Sequence, residues 1–117
     1  MRVISQDGTI DVPYDCFSLS MYSGKYKDIE VAYIYCHNLS SPKGTKLAEY
    51  STEEKAIKAM EMLREQYSRI EIIKVLASGT CEYMEESLKP EKLKDILKEY
   101  INMEVFQFPQ DSDERLN

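Results

Sequence analysis

Ile29-Glu-Val-Ala-Tyr-Ile-Tyr-Cys36 and, after a turn-rich segment, Lys46-Leu-Ala-Glu-Tyr-Ser-Thr-Glu-Glu-Lys-Ala-Ile-Lys-Ala-Met-Glu-Met-Leu-Arg-Glu-Gln-Tyr67 hold the change of hydrophobic period that decides the fold. In the first stretch Val31, Tyr33 and Tyr35 alternate with Ala32, Ile34 and Cys36, so both faces are apolar and the segment reads as a central β-strand. In the second, Lys46 to Tyr50 reads as a short strand that runs into a helix. Ser51-Thr-Glu-Glu54 has the spacing of a capping box, in which a Ser hydroxyl accepts a terminal N–H and a Glu reaches back. Ala56, Ala59, Met60, Leu63 and Tyr67 then recur every three or four residues, an apolar stripe that predicts a helix ending near Ser68.

Outward from this pair the N-terminal half continues as strands. Arg2 to Ser5 and Thr9 to Tyr14 flank Gln6-Asp7-Gly8, a hairpin signal, and Pro13 belongs at a strand end or on an edge. Cys16 to Tyr22 alternates Phe17, Leu19 and Met21 with Ser18 and Ser20, and a turn is expected around Ser23-Gly24. Asn38 to Gly44 reads as a loop. Ile70 to Leu76 is ambiguous between strand and loop, and its β-branched residues favour strand. Ser78-Gly79 breaks it, and Glu82 to Ser87 suits a helical turn. Pro90 fits a first helical position, and Leu93, Ile96, Leu97, Tyr100 and Ile101 form a second apolar stripe. Glu104 to Phe108 is a short strand stopped by Pro109.

The fold class is therefore α+β: an antiparallel β-meander in the N-terminal half with two amphipathic helices packed on one face. Residues 1–109 form a single domain and residues 110–117 a flexible acidic C-terminal tail. The chain's 117 residues are enough for one core without a disulfide. No apolar run approaches the roughly 20 residues of a membrane-spanning helix, and MRVISQDGT has no secretory h-region, so a cytoplasmic protein is expected. Fifteen basic against 21 acidic residues give a net charge of −6, which disfavours phosphate backbones as partners. Residues 1–50 account for −1 of it and residues 51–117 for −5.

Three cysteines, Cys16, Cys36 and Cys81, are an odd number at unrelated spacings and suggest a reducing compartment. The single histidine, His37, follows Cys36 directly. Neighbours on a strand face opposite ways, so these two form no catalytic dyad, and Cys16 or Cys81 could approach His37 only through the tertiary fold. Three Cys and one His lack the paired spacing of a zinc site, so no metal is expected. The four glycines sit singly, with no phosphate-binding loop, and no cofactor is implied. With no catalytic constellation, the expectation is that the chain is not an enzyme.

Nine tyrosines and no tryptophan are the one unusual usage. If the helices cover the Ala32/Ile34 face, Tyr33 and Tyr35 stand on the outer face as a candidate binding surface, since Tyr buries area at low entropic cost. If they cover the other, Tyr33 and Tyr35 are core.

The opening Met-Arg-Val-Ile-Ser-Gln-Asp-Gly-Thr-Ile-Asp-Val-Pro-Tyr14 resembles the start of a group of small uncharacterised proteins encoded in phages, prophages and mobile elements of Gram-positive bacteria of the Firmicutes type. The similarity returns over Tyr50 to Arg64 and Val105 to Asp111, about a third of the chain in all. The resemblance implies an intracellular bacterial protein from a mobile element, and it implies no activity. The leading expectation is a non-enzymatic accessory module that binds a protein partner or forms a homo-oligomer, with no membrane contact. The alternatives are a single-stranded nucleic-acid-binding protein that stacks bases on the tyrosines, and a small thiol enzyme.

Overall fold

Alternation on Ile29–Cys36 produces the middle strand of a three-stranded antiparallel sheet. The computed structural model describes residues 1–38, 40–77 and 90–117. In chain order these form β1 (Arg2–Ile4), β2 (Asp11–Pro13), a 3-10 turn (Tyr14–Cys16), β3 (Ser18–Tyr26), β4 (Ile29–Asn38), β5 (Ser41–Tyr50), α1 (Glu53–Ala77), α2 (Pro90–Met103), β6 (Val105–Gln107) and a second 3-10 turn (Glu114–Leu116). One sheet has the order β3-β4-β5 and a second has the order β2-β1-β6. The architecture is α+β.

Within the long sheet, β3 and β4 pair without interruption from Ser18↔His37 to Tyr26↔Ile29. The turn expected at Ser23-Gly24 is instead at Lys27-Asp28, where φ is 51° and 65°. Positive φ at both positions gives a two-residue turn the right-handed twist of the strands it joins, and Asp tolerates it. Gly24 stays in the strand opposite Val31. The loop expected over Asn38 to Gly44 is largely strand, because Asn38 pairs with Ser41 and β5 begins there. β5 carries two register shifts, one between Ile34 and Tyr35 and one between Cys36 and Asn38. The first lets the consecutive residues Leu47 and Ala48 both be buried, which strict alternation forbids.

The short sheet joins the two ends of the described chain. β1 and β2 form the expected hairpin, with Val3 opposite Val12 and Pro13 on the edge strand. β6 runs parallel to β1, with Val3 opposite Phe106. The expected continuous N-terminal meander is thus corrected: β3–β5 form a meander, while β1 and β2 belong to a separate sheet. A parallel β1–β6 pair needs most of the chain as its crossover, a pairing that no local pattern announces.

Helix α1 begins one residue later than the capping box implied. The Thr52 hydroxyl accepts from the Lys55 N–H at 3.2 Å, whereas the Ser51 N–H and hydroxyl both donate to Asp111 Oδ1 at 2.8 and 3.0 Å. The helix also continues past Ser68 to Ala77, replacing the strand expected over Ile70–Leu76. Ile70 is fully buried and prolongs the stripe of Ala56, Ala59 and Leu63, while Ile72 and Val75 face solvent. A β-branched residue costs an established helix only a few tenths of a kcal/mol, so a good buried position outweighs local propensity. The segment expected to break and turn at residues 78–87 lies outside the described residues, as does Cys81.

Two helices packed side by side on one sheet face are not what forms. α1 packs on β4 and β5, and α2 meets α1. Ala32, Ile34, Cys36, Ala48 and Tyr50 share one core with Ala56, Ala59 and Leu63 of α1, and with Val3, Phe106, Phe108 and Leu116.

Residues 110–117, read as an acidic tail, contain the second 3-10 turn, and Leu116 is buried. Lys55 Nζ donates to the Asp111 carbonyl at 2.8 Å, and Lys58 Nζ to that of Asn117 at 3.1 Å.

Candidate functional site

With α1 on the Ala32/Ile34/Cys36 side, Val31, Tyr33, Tyr35 and His37 of β4 fall on the opposite face of the long sheet. Tyr22 of β3 is directly across from Tyr33, and Glu49 and Lys46 of β5 are across from Tyr33 and Tyr35. The rings touch as a group. Tyr22 meets Tyr35 edge-on at 5.5 Å, Tyr33 and Tyr35 lie 6.1 Å apart, and the His37 imidazole stacks on Tyr35 at 6.4 Å. Edge and offset contacts of this kind each contribute about 0.5–1.5 kcal/mol beyond burial, so the row is held in place before any partner arrives.

Tyr33 and Tyr35 are half-buried by their neighbours, and Tyr22 is 54% exposed. Toward the Lys27-Asp28 turn the same face continues through Val31 to Ile29 and Tyr26, 65% and 73% exposed. Lys46 places its ammonium 5.4 Å from the Tyr33 ring centre and 3.5 Å from the Glu49 carboxylate. Lys27 does the same over Tyr26 at 5.6 Å. The surface is aromatic at its centre and mixed in charge at its rim.

Sequence reasoning singled out Tyr33 and Tyr35, and the structure places both on this outer face. Tyr22, Tyr26, Ile29 and His37 join them. The signal for Tyr22 and Tyr26 was the even-numbered alternation of β3, hidden by reading Gly24 as a turn. Tyr50 belongs elsewhere: it is buried under α1 and donates its hydroxyl to the Pro109 carbonyl at 2.8 Å. Burial raises its pKa, with the Asp111 and Asp113 carboxylates adding to the effect.

The two described thiols sit in different surroundings. Cys36 is buried on the core side, and burial pushes its pKa up, as expected of a small packed hydrophobe. Cys16 is exposed, and the fold brings it into one cleft of about 650 Å³ with Asp15, Phe17, His37 and Asn38. The approach of Cys16 to His37 that local spacing left open is therefore made at the level of the cleft. His37 Nε2 is in contact with the Ser20 hydroxyl. On its Nδ1 side the ring packs against Gly44, where a Cβ would stand 2.5 Å from that nitrogen. Gly44 has φ of +79° and sits in the second irregularity of β5.

Two other arrangements narrow the chemistry. A cleft of about 460 Å³ between α1 and β6 includes Arg69 and Arg115, but Arg115 already binds both carboxylate oxygens of Asp113 at 3.0 and 2.7 Å. Among the described residues no group of three or more His, Cys, Asp or Glu side chains could hold a metal ion. No described helix is long and apolar enough to cross a membrane. The chain matches no protein-family profile, no curated protein and no solved structure.

Proposed function

We propose that this protein is a non-enzymatic accessory module of a phage or other bacterial mobile element, acting in the cytoplasm. It binds another protein, or a copy of itself, through the outer sheet face centred on Tyr33 and Tyr35. The observation that supports this reading is the aromatic row Tyr22, Tyr33, Tyr35 and His37, which no described helix or strand covers, opposite the face on which α1 packs. Clustered tyrosines with a mixed-charge rim are the composition of protein interfaces, and their mutual packing lowers the entropy lost on binding. The mobile-element context rests on the resemblance of residues 1–14 and the two shorter stretches.

The test is capture of partners by the tagged protein and by its Tyr33→Ser/Tyr35→Ser variant. Interface aromatics commonly carry 2 kcal/mol or more, so the variant is expected to lose binding by at least about 30-fold while keeping its circular dichroism. Equal recovery by both proteins would remove the reading.

One observation favours a second reading. Lys46 over Tyr33, beside Tyr22 and Tyr35, is the combination of cation and stacking platform used for single-stranded nucleic acid. Glu49 beside Lys46 and the net charge of −6 oppose it. A salt-sensitive mobility shift with single-stranded DNA or RNA would support that reading, and no shift at low salt would end it.

A further inference from the structure

β6, an edge strand of the short sheet, leaves one side of its backbone open beside α1. It pairs with β1 through the Glu104 carbonyl, which accepts from the Arg2 N–H at 2.7 Å, and the Phe108 N–H, which donates to the Ile4 carbonyl at 3.1 Å. Alternate residues of a strand turn their backbone groups to alternate sides, so Phe106 serves β1 while Val105 and Gln107 face away from it. On that outer side the Gln66 side chain of α1 donates to the Val105 carbonyl at 3.0 Å. Among the described residues nothing pairs with the Val105 N–H or with either backbone group of Gln107. Both residues line the cleft of about 460 Å³ between β6 and α1, together with Met62, Met103 and Arg69.

The direction of α1 orders this cleft. Lys55 reaches Asp111 and Lys58 reaches Asn117, whereas Gln66 reaches Met103 and Val105, so α1 runs opposite to β6. Arg69, one turn beyond Gln66, therefore stands at the Met103 end, and Met62, one turn before it, at the Gln107 end. The charges differ along the same line. Arg115 is held by both oxygens of Asp113, and Glu65 adds a negative charge on the turn before Arg69. Arg69 is exposed and makes no ion pair among the described residues.

We propose that this cleft captures the free carboxyl terminus of another polypeptide, which adds to β6 as a short antiparallel strand. Gln107 exchanges an N–H and a C=O with the third residue from the end, as in any antiparallel pair. Gln66 already holds the Val105 carbonyl, so the pairing stops there, which suits a chain end and not a strand running through. The terminal carboxylate accepts from the Val105 N–H and from the planar fork of Arg69. The reverse polarity would set an ammonium group against Arg69. Apolar side chains near the terminus suit the Met62 and Met103 thioethers, which adapt to irregular shapes. The site is separate from the aromatic face of the long sheet.

A nuclear magnetic resonance titration of the full chain with acetyl-Ala-Val-Leu tests this, against the same peptide carrying a C-terminal amide. The acid is expected to bind with a Kd of about 1 mM or tighter and to move the amide signals of Val105 and Gln107. The amide form is expected to bind at least about tenfold more weakly. Arg69→Gln is expected to lose the same factor for the acid, and with it the preference for acid over amide. Its circular dichroism should stay unchanged, because the side chain is exposed. Tyr33→Ser/Tyr35→Ser is expected to bind the peptide as the wild type does, so this proposal and the sheet-face reading fail separately.

Val105 and Gln107 signals that do not move at about 5 mM acid overturn the proposal. So do equal affinities for acid and amide, or an Arg69→Gln protein that binds the acid as tightly as the wild type. Octanoate is the remaining arm. If it binds as tightly as the peptide, the cleft takes an apolar carboxylate without strand pairing, and the polypeptide terminus is overturned.

Discussion

The two sheets are built by opposite strategies. The long sheet is made of strands adjacent in the chain, and its β3–β4 register runs unbroken over nine pairs. The short sheet has strands of only three residues, and it joins β1 and β2 to a β6 about a hundred positions away. Local hairpins with many backbone bonds can leave a whole face to solvent. A three-residue strand cannot, and here it is held by side chains that reach across the fold: Gln6 to Glu49 and Pro109, Gln107 to Ser5, and Gln110 to Gln6. The difference teaches where function can reside. The short sheet is mainly committed to closing the structure, whereas among the described residues the long sheet has one face and the β3 edge left uncovered.

Four substitutions probe that contrast. The largest effect is expected from Gly44→Ala in the long sheet. It forces a side chain into a left-handed backbone with φ of +79° and drives a Cβ to 2.5 Å from the His37 ring. Left-handed strain and overpacking together should lower stability by about 2–4 kcal/mol, measured by urea unfolding. Gly24→Ala in the same sheet has open space and an ordinary φ, and should change stability by about 0.5 kcal/mol or less. Equal costs at the two positions would mean that His37 is not held by the β5 irregularity.

Gln6→Ala comes next, because it cuts the joint between the sheets. It removes three hydrogen bonds, two to Glu49 and one to Pro109. A loss of about 1–2 kcal/mol is expected, with amide exchange rising first in β1 and β6 rather than in β4. Uniform loosening of both sheets would show that Gln6 is not a joint acting mainly on the short sheet.

The smallest effect is electrostatic and belongs to the short sheet's hairpin turn. The Ser5 hydroxyl, then the Thr9 N–H and hydroxyl, hydrogen-bond the Asp7 carboxylate and hold its pKa down to about 2. A carboxylate with a depressed folded pKa adds stability above its ordinary pKa, and the contribution is lost as pH falls through the folded value. Urea midpoints of Asp7→Ala should therefore fall below wild type at neutral pH and converge on it between about pH 4 and pH 2. A constant difference across that window would show that the turn does not depend on the charge. Asp113, held to about 2 by Arg115, keeps some acid sensitivity in the variant.

Much of the fold was legible in the sequence because its signals are local. Asp7-Gly8 announced the first hairpin, alternation through Ile34 placed β4 in the centre, and the Ala56–Leu63 stripe announced α1. Local signals failed where competing ones overlapped. Ser23-Gly24 has turn composition, yet backbone pairing on β4 carried the strand through it. Ile70 to Leu76 has strand composition, yet Ile70 falls in register with the buried stripe. Ser51 has the better capping spacing, but Asp111, 60 residues away, claims its hydrogen bonds and leaves Thr52 to cap.

The candidate site divides the same way. Period two dictated that Tyr33 and Tyr35 share one face and that Cys36 lies opposite His37, because alternation is a property of the extended backbone alone. Which face meets solvent was decided only when α1 covered Ala32 and Ile34, since both faces are apolar enough to be core. Cys16 and His37 reached one cleft only through the β3–β4 register. That β3 pairs with no second strand among the described residues is likewise visible only in the sheet order. Periodicity is written residue by residue, but burial and pairing are properties of the neighbours, and those come from elsewhere in the chain.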